Sequence, residues 1–147
     1  SLWFKHQGFQ VEAFDASPAM VAATRSFAGV PTRLMRFEEF AWEHAVDGIW
    51  ACASLLHVLR QDLPAVLLRL LAALNVTGCL YCSCKWGREE RQVNGRYFND
   101  MDEAILANLL SNFPARAKEV WRTSDMRPGR QGETWLNAIL APEPPAE

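Results

Sequence analysis

The stretch Gly8-Phe-Gln-Val-Glu-Ala-Phe-Asp15-Ala-Ser-Pro-Ala-Met20 decides the fold that this sequence predicts. Residues 9–14 are typical of a short strand, and Ser17-Pro18 indicates the start of a helix over residues 18–27, because serine is a preferred N-cap and proline fits the first helical turn. A carboxylate such as Asp15, at the carboxyl end of a parallel strand, is the group with which doubly wound α/β proteins hold the hydroxyls of a ribose. The same carboxylate can instead serve as a helix cap, and this segment alone leaves both interpretations open.

The rest of the chain alternates strands with helices, which predicts a mostly parallel α/β sheet with helices on both faces. Residues 1–7 predict the end of a helix that Gly8 closes as its C-cap. Helices are also predicted at 62–74, with Asp62 as N-cap and Asn75-Val-Thr-Gly78 as the closing turn, and at 100–112. The remaining strands are predicted at 32–37, 48–53 and 78–85, with an antiparallel closing pair at 120–123 and 135–140.

Composition and charge limit the class of protein. With 147 residues, half of them hydrophobic, the chain predicts one domain over residues 1–141 and a disordered tail over 142–147. The 15 basic and 17 acidic residues are interspersed and give a net charge of -2, which does not favour nucleic acid or an anionic membrane as a partner. No apolar run approaches the ~20 residues of a membrane-spanning helix, and no secretory signal is visible, so we expect a cytoplasmic location.

Three of the four cysteines lie in the strand predicted at 78–85. Cys82 and Cys84 are on one face of that strand and Cys79 is on the other, because alternate residues of a strand point to opposite sides. A zinc site requires ligands that converge from turns, and only Cys52 remains to join these three. We therefore expect the cysteines to pack as small hydrophobic residues, with no metal site and no structural disulfide.

Several motifs, in this order along the chain, resemble those of class I S-adenosylmethionine (SAM)-dependent methyltransferases. The strand before Asp15 resembles the family's second strand, and Val46-Asp-Gly-Ile-Trp-Ala-Cys52 resembles its fourth. Ala53-Ser-Leu-Leu-His57 is similar to the segment that borders the methyl donor and the substrate, and Leu74-Asn-Val-Thr-Gly78 takes the place of the family's Leu-Lys-Pro-Gly-Gly turn. The segment from Lys85-Trp-Gly87 to Gly95-Arg-Tyr-Phe98 is similar to small-molecule methyltransferases related to tellurite-resistance proteins.

This resemblance implies a Rossmann-like three-layer sandwich that uses SAM as cofactor. The cofactor-binding residues that it implies follow three successive strands: Asp15, Ala16, Ser17 and Met20; Phe37 and Glu38; Ala53 and Ser54. Asp15 would accept hydrogen bonds from both ribose hydroxyls. Met20 would pack its thioether on the adenine ring. Phe37 would stack on the same ring, and Glu38 would accept a hydrogen bond from its amino group. The alternatives are core packing for Met20 and a solvated pair for Glu38 and its neighbour.

On the acceptor side, the resemblance implies His57 as the acid/base residue, since histidine titrates near neutral pH. A polar and aromatic lid over a small-molecule substrate is implied for five further residues: Lys85, Trp86, Arg88, Arg96 and Tyr97. Within it, the planar fork of Arg96 would bind an anionic substrate. The alternative for His57 is a structural role, with its hydrogen bonds made at the start of a helix. The alternative for the charged residues of the lid is simple solvation at the protein surface.

One feature of the family has no counterpart in this sequence. A first strand and glycine-rich loop hold the amino-acid end of the cofactor, whereas the only glycine before Asp15 is Gly8. The chain begins at Ser1 and not at Met, and we expect a domain that is incomplete at its N-terminus. Three outcomes are open for the missing central strand: direct pairing of its neighbours, a strand supplied by another chain in a homodimer, or an omitted upstream segment.

Two functions are therefore open. The first is SAM-dependent methyl transfer to a small nucleophile, impaired in this chain. The second is a degenerate, non-catalytic member of the family that acts by binding a partner.

Overall fold

The computed structural model describes residues 1–143. The chain divides after Phe40 into two compact units. Of the tail predicted at 142–147, Pro142 is the last residue of the final strand, and residues 144–147 lie outside the described part of the chain. No helix in the described part is long and apolar enough to cross a membrane.

The first unit is a small α/β layer. Its elements are α1 (Leu2–His6), β1 (Ala13–Asp15), α2 (Pro18–Ala28), β2 (Thr32–Leu34) and a 3-10 helix (Phe37–Glu39). The two strands pair in parallel, with Asp15 opposite Leu34. The predicted start of α2 is confirmed, because the Ser17 side chain accepts the N–H of Met20 and Pro18 is the first helical residue.

Both strands of this unit are shorter than the predicted runs 9–14 and 32–37, so the predicted boundaries are wrong. The ladder begins only where the N–H of Ala13 reaches the carbonyl of Pro31, which has no N–H to donate in return. It ends where Met35 donates to the carbonyl of Asp15. Beyond that point the chain forms the 3-10 helix instead of strand, and Glu39 caps it by accepting the N–H of Arg36.

The second unit is built on a four-stranded sheet. Its elements are β3 (Val46–Ala51), a 3-10 helix (Leu55–His57), α3 (Leu63–Ala72), β4 (Leu74–Lys85), β5 (Glu90–Val93), β6 (Arg96–Asn99), α4 (Glu103–Leu110), β7 (Ala115–Ser124) and β8 (Thr134–Pro142). The strand order is β3-β4-β8-β7, with β3 and β4 parallel and the other pairs antiparallel, while β5 and β6 form a separate hairpin. The closing antiparallel pair predicted at 120–123 and 135–140 is confirmed.

The core of this unit lies between α3 and the face of the sheet that carries Leu80 and Leu140, both fully buried. Leu70 of α3 is fully buried as well. Cys82 and Cys84 share this buried face of β4, whereas Cys79 is partly exposed, as the alternation of a strand predicts.

Asp62 is the N-cap residue of α3, as predicted, although its side chain accepts no hydrogen bond from the first turn. The other predicted helix start is wrong. The helix predicted at 100–112 begins only at Glu103, where the Asp102 side chain accepts the N–H of Ile105. Asp100 and Met101 precede this cap and lie outside the helix, because their N–H groups donate to the carbonyls of Glu89 and Lys85.

The turn predicted at Asn75-Val-Thr-Gly78 is also wrong. These residues belong to β4, where the register against β3 jumps between Val46 and Gly48 and accommodates the extra residues as a bulge. Gly78 is required there, because a side chain would lie 3.2 Å or less from three backbone carbonyls. The α/β class and the antiparallel closing strand are confirmed, whereas the four-stranded sheet is mixed and not mostly parallel, because only β3 and β4 pair in parallel in it.

Candidate functional site

Asp15 lies half-buried at the carboxyl end of β1. Its Oδ1 accepts the backbone N–H of Ser17 at 2.8 Å. Its Oδ2 accepts no hydrogen bond from the described residues. The carboxylate therefore fixes the turn before α2 with one oxygen, while Ser17 acts as the helix cap.

The residues that follow Asp15 form the exposed start of α2. Ala16 is exposed, and the half-buried Ser17 holds the first turn through its contact with Met20. The Met20 side chain is 53% exposed, so core packing is wrong as an explanation for this methionine. The thioether is accessible from solvent, and its packing on the adenine ring stays a prediction.

Phe37 and Glu38 follow β2 at the edge where β1 also ends, because the two strands are parallel. The Phe37 ring packs edge-on against Phe14, with ring centroids 5.2 Å apart. Glu38 is exposed, whereas its neighbour Glu39 is engaged as the cap of the 3-10 helix. Both glutamates are exposed, so the alternative of a solvated pair stays open.

Ala53 and Ser54 follow β3 at the edge where its parallel neighbour β4 also ends. Ala53 has φ +51°, in the left-handed region that is uncommon for residues other than glycine. Its N–H donates to the hydroxyl of Ser83 on β4 at 2.9 Å. The reversal at Ala53 leads through Ser54 into the 3-10 helix that ends at His57.

Both ring nitrogens of His57 are engaged by the β5–β6 hairpin. Nδ1 lies 2.8 Å from the carbonyl oxygen of Tyr97, and Nε2 lies 2.9 Å from a guanidinium nitrogen of Arg96. A carbonyl only accepts and a guanidinium only donates, so the ring carries its proton on Nδ1 and accepts at Nε2. The ring also packs edge-on against Phe98. The Arg96 guanidinium therefore covers the Nε2 lone pair of His57.

The hairpin itself is tied to the segment after β3. Tyr97 accepts the N–H of Arg60 at its phenolic oxygen and donates to the carboxylate of Glu90. Burial, and then the bond to Glu90, raises the pKa of Tyr97. Arg96 is exposed at the start of β6, with its guanidinium against His57.

Lys85, the last residue of β4, is buried in an ion cluster. Its ammonium group lies 3.0 Å from Asp125, contacts Glu133 and sits 4.1 Å from the centre of the Trp135 ring. Arg127, followed by further donors that include Lys85, holds the pKa of Asp125 well below its usual range. The structure thus gives Lys85 a set of partners within the protein: two carboxylates from the turn between β7 and β8, and the Trp135 ring at the start of β8.

Trp86 is 41% exposed and lies beside an open cleft of about 490 Å³. The cleft is lined by Trp86, Gly87, Arg88, Glu89, Asp100 and Asp102. The Trp86 indole donates to Glu103, and the guanidinium of Arg122 lies 4.4 Å from its ring centre. Arg122 binds both oxygens of Glu103 and lowers the pKa of that carboxyl to about 2.

The thiols of Cys82 and Cys84 are buried. Burial raises the pKa of Cys82 to about 12 and raises that of Cys84 as well. A thiol that stays protonated is a poor nucleophile and a poor metal ligand. Within the described residues, no cluster of histidine, cysteine or acidic side chains is arranged to hold a metal ion.

Sequence reasoning missed the hairpin and the arginine that holds it. Asn94 and Gly95 both have positive φ, which is the type I′ turn that an Asn-Gly pair strongly predicts, so the signal was present. Arg60 donates to the Asn99 side chain and to the carbonyls of Arg88 and Asp100. Nothing local in the sequence marks Arg60, because all these partners lie at least 28 residues away.

Comparison with known structures defines the class of fold. No protein-family model matches the chain, and no curated protein matches its sequence. Solved structures do match over nearly the whole chain, and they are SAM-dependent methyltransferases. The chain therefore has the fold of the class I SAM-dependent methyltransferases, and the predicted resemblance is confirmed at the level of fold.

Three of these structures show the extent of the likeness. The 1,6-didemethyltoxoflavin-N1-methyltransferase of Burkholderia thailandensis, solved with S-adenosylhomocysteine (SAH), is 19% identical with a TM-score of 0.78 over 97% of this chain and 65% of its own. TehB from Haemophilus influenzae is 14% identical with a TM-score of 0.74 over 98% of this chain and 53% of its own. The glycopeptide N-methyltransferase MtfA, solved with SAM, is 12% identical with a TM-score of 0.73 over 97% of this chain and 82% of its own. This chain thus spans about two thirds and about half of the length of the first two.

Proposed function

We propose that this chain is the methyltransferase domain of an enzyme that moves a methyl group from SAM to a small-molecule nucleophile. The observation that carries the proposal is Asp15, held at the carboxyl end of a parallel strand with Oδ2 turned to no partner in the described chain. An ionised carboxylate in that position accepts hydrogen bonds from ribose hydroxyls. The solved structures with this fold that hold SAM or SAH support the choice of cofactor.

The cofactor contacts are assigned by chemistry. Asp15 accepts from the ribose, with the Ala16-Ser17 backbone beside it, and the exposed thioether of Met20 packs on the adenine. Glu38, exposed at the first turn after β2, accepts from the adenine amino group, and Phe37 lies next to it. Ala53 and Ser54 contact the cofactor after β3. The cofactor supplies a methyl group that its sulfonium already activates.

The acceptor is assigned to the hairpin side of the second unit. Arg96 is exposed and can bind a carboxylate or another oxyanion with its fork of N–H groups. An anion that draws the guanidinium away uncovers Nε2 of His57, which then takes the proton that a protonated nucleophile loses as its new bond to the methyl carbon forms. Trp86 and Tyr97 line this side as aromatic walls, and the ion cluster of Lys85 holds the end of β4 in place. Rate enhancement comes mainly from orienting the two reactants.

A titration with SAH followed by NMR tests the cofactor assignment even if binding is weak. SAH should shift the backbone amides of Ala16, Ser17, Ala53 and Ser54, with smaller shifts elsewhere. Shifts confined to other parts of the chain, or none at millimolar SAH, would contradict the proposal.

We further propose that the 147-residue polypeptide binds SAM weakly and transfers methyl groups poorly. Its sequence places no glycine-rich loop ahead of Asp15, so the charged methionine end of the cofactor finds no matching backbone cradle among these residues. Calorimetry should give a dissociation constant for SAH above the micromolar range. The second candidate function is a non-catalytic module that binds a partner, and methyl transfer by this polypeptide to a small acceptor would exclude it.

The proposal includes a cytoplasmic location and a homodimer. In the described residues β1 pairs only with β2, and β3 pairs only with β4, so each strand has one edge without a strand partner. Such an edge favours pairing with a second chain. Light scattering after size exclusion should give twice the monomer mass of 16.6 kDa, and a monomer at high concentration would contradict the dimer.

A further inference from the structure

The backbone of Ala53 is held in an unfavourable conformation. Its φ of +51° crowds the side chain against the adjacent backbone, and within the described residues only one other non-glycine residue, the hairpin Asn94, has a positive φ. Asparagine tolerates this region better than alanine does, because its side chain bonds locally. A strained alanine persists only when its surroundings hold it, and such residues are concentrated at functional sites.

The group that holds Ala53 is the hydroxyl of Ser83. Its oxygen accepts the N–H of Ala53 at 2.9 Å across the pair of parallel strands. Ser83 is only 4% exposed, and its own hydroxyl proton points to the Cys52 sulfur at 3.7 Å. This hydrogen bond therefore joins β4 directly to the residue at which the chain reverses.

The reversal sets where the following segment lies. Ala51 at the end of β3 and Leu55 at the start of the 3-10 helix are both buried, so the chain must turn within the three residues between them. The left-handed conformation of Ala53 makes that turn, and it aims the 3-10 helix that places His57 against the hairpin.

We infer that Ser83 is a positioning residue, which holds Ala53 in the left-handed conformation and thereby orients the segment from Ala53 to His57 for cofactor and acceptor. The inference rests on the proposed function, since the ligand contacts of this segment are part of it. The bond to Ala53 itself does not depend on that function, and the two can fail separately.

The variant Ser83→Ala removes the hydroxyl, and the double variant Ser83→Ala with Ala53→Gly restores the turn by a second route. Glycine adopts positive φ without strain and needs no acceptor to hold it there. NMR coupling constants and the intraresidue amide-to-Hα contact report φ at position 53. We expect positive φ in the wild type, loss of it in Ser83→Ala, and its return in the double variant.

SAH affinity gives the functional readout. Ser83→Ala should weaken SAH binding about tenfold, the effect of losing one well-placed hydrogen bond, and the double variant should recover most of the loss. Asn75→Ala is the matched control, because it removes another side-chain hydrogen bond between β4 and β3, to Asp47, at the opposite end of β4 from Ser83. It should leave both the positive φ of Ala53 and the affinity for SAH unchanged.

The outcomes separate the two claims. Unchanged φ at Ala53 in Ser83→Ala, or a loss of affinity that Ala53→Gly does not rescue, would overturn the positioning role. If Ser83→Ala does not fold but the double variant does, the positioning role of Ser83 is supported. If the double variant does not fold either, Ser83 serves only core packing, and the positioning role is overturned. Absence of SAH binding by the wild type would remove the proposed function, and the coupling constants would still decide the role of Ser83.

Discussion

The Nε2 atom of His57 accepts a hydrogen bond from the guanidinium of Arg96 at 2.9 Å. We propose that Arg96 binds an anionic acceptor and that Nε2 of His57 takes up the proton. In the structure, Arg96 therefore covers the lone pair that would accept this proton. The two roles are linked, because Arg96 cannot bind both partners through the same N–H group. An acceptor that takes over this N–H group would uncover Nε2 of His57 as it binds, whereas an acceptor held by the other N–H groups of Arg96 would leave it covered.

The hydrogen bonds of His57 predict its tautomer. The Tyr97 carbonyl requires a proton on Nδ1 and the Arg96 guanidinium excludes one from Nε2, so the neutral ring should be the Nδ1–H form. Long-range proton–nitrogen NMR spectra of the neutral ring distinguish the tautomers. An Nε2–H ring would contradict the arrangement of the hairpin, and His44 in the same spectrum provides an internal comparison.

Removal of the Arg60 side chain should release the hairpin. Arg60→Ala leaves the buried Asn99 side chain and the carbonyl of Asp100 without their donor, at a cost of about 1–3 kcal/mol for each group. Hydrogen exchange of amides 90–99 should accelerate more than exchange in β4. The control is Arg69→Ala on the exposed side of α3, and equal exchange in both variants would show that Arg60 does not hold the hairpin.

Stability should depend on pH through Glu103. Arg122 lowers the folded-state pKa of Glu103 to about 2 from an ordinary value of 4.5, so its contribution is complete above about pH 4.5 and is lost as the pH falls towards 2. Glu103→Gln should therefore reduce the free energy of unfolding at pH 7, and the difference from wild type should vanish near pH 2. Urea unfolding at several pH values measures this difference.

A different pH dependence would contradict the predicted role of Glu103. A difference between wild type and Glu103→Gln that is constant from pH 7 to 3 would show that the pair with Arg122 does not form in solution. Glu119→Gln, on the same strand as Arg122, controls for the loss of a surface carboxylate.

The core position Leu80 should be sensitive to truncation. Leu80 is fully buried between the sheet and α3, and Leu80→Ala should lower the free energy of unfolding by about 2–5 kcal/mol through lost burial and a residual cavity. Leu68→Ala, at a site on α3 that is 46% exposed, should cost much less. Chemical denaturation compares the two, and equal losses would mean that the sheet face with Leu80 is not the core.

The sequence predicted what local chemistry decides. Ser17 and Pro18 specify the start of α2 by themselves, and the closing pair of strands was also placed correctly. Predictions failed where a distant partner decides the local structure. Residues 75–78 read as a turn by composition, yet pairing with β3 draws them into β4 as a bulge.

The candidate site divides in the same way. Asp15 was predicted from its position at the end of a strand, and Ala53 and Ser54 from the family resemblance. The structure has Asp15 as the last residue of β1 and Ala53 and Ser54 shortly after β3. The positive φ of Ala53 was not predictable, because it depends on a serine 30 residues further along the chain. Lys85 was assigned to the substrate from resemblance, whereas its partners Asp125 and Glu133 come from the turn between β7 and β8.

The affinity of the Asp15→Asn variant for SAH tests the central claim most directly. Asparagine keeps an oxygen for the N–H of Ser17, so the turn before α2 remains, while the charge and the second acceptor are lost. We expect SAH binding, measured by NMR titration or calorimetry, to weaken about tenfold or more in Asp15→Asn and to stay unchanged in Glu12→Ala, an exposed carboxylate just before β1. Equal affinity of Asp15→Asn and wild type would remove Asp15 from the site and contradict the account.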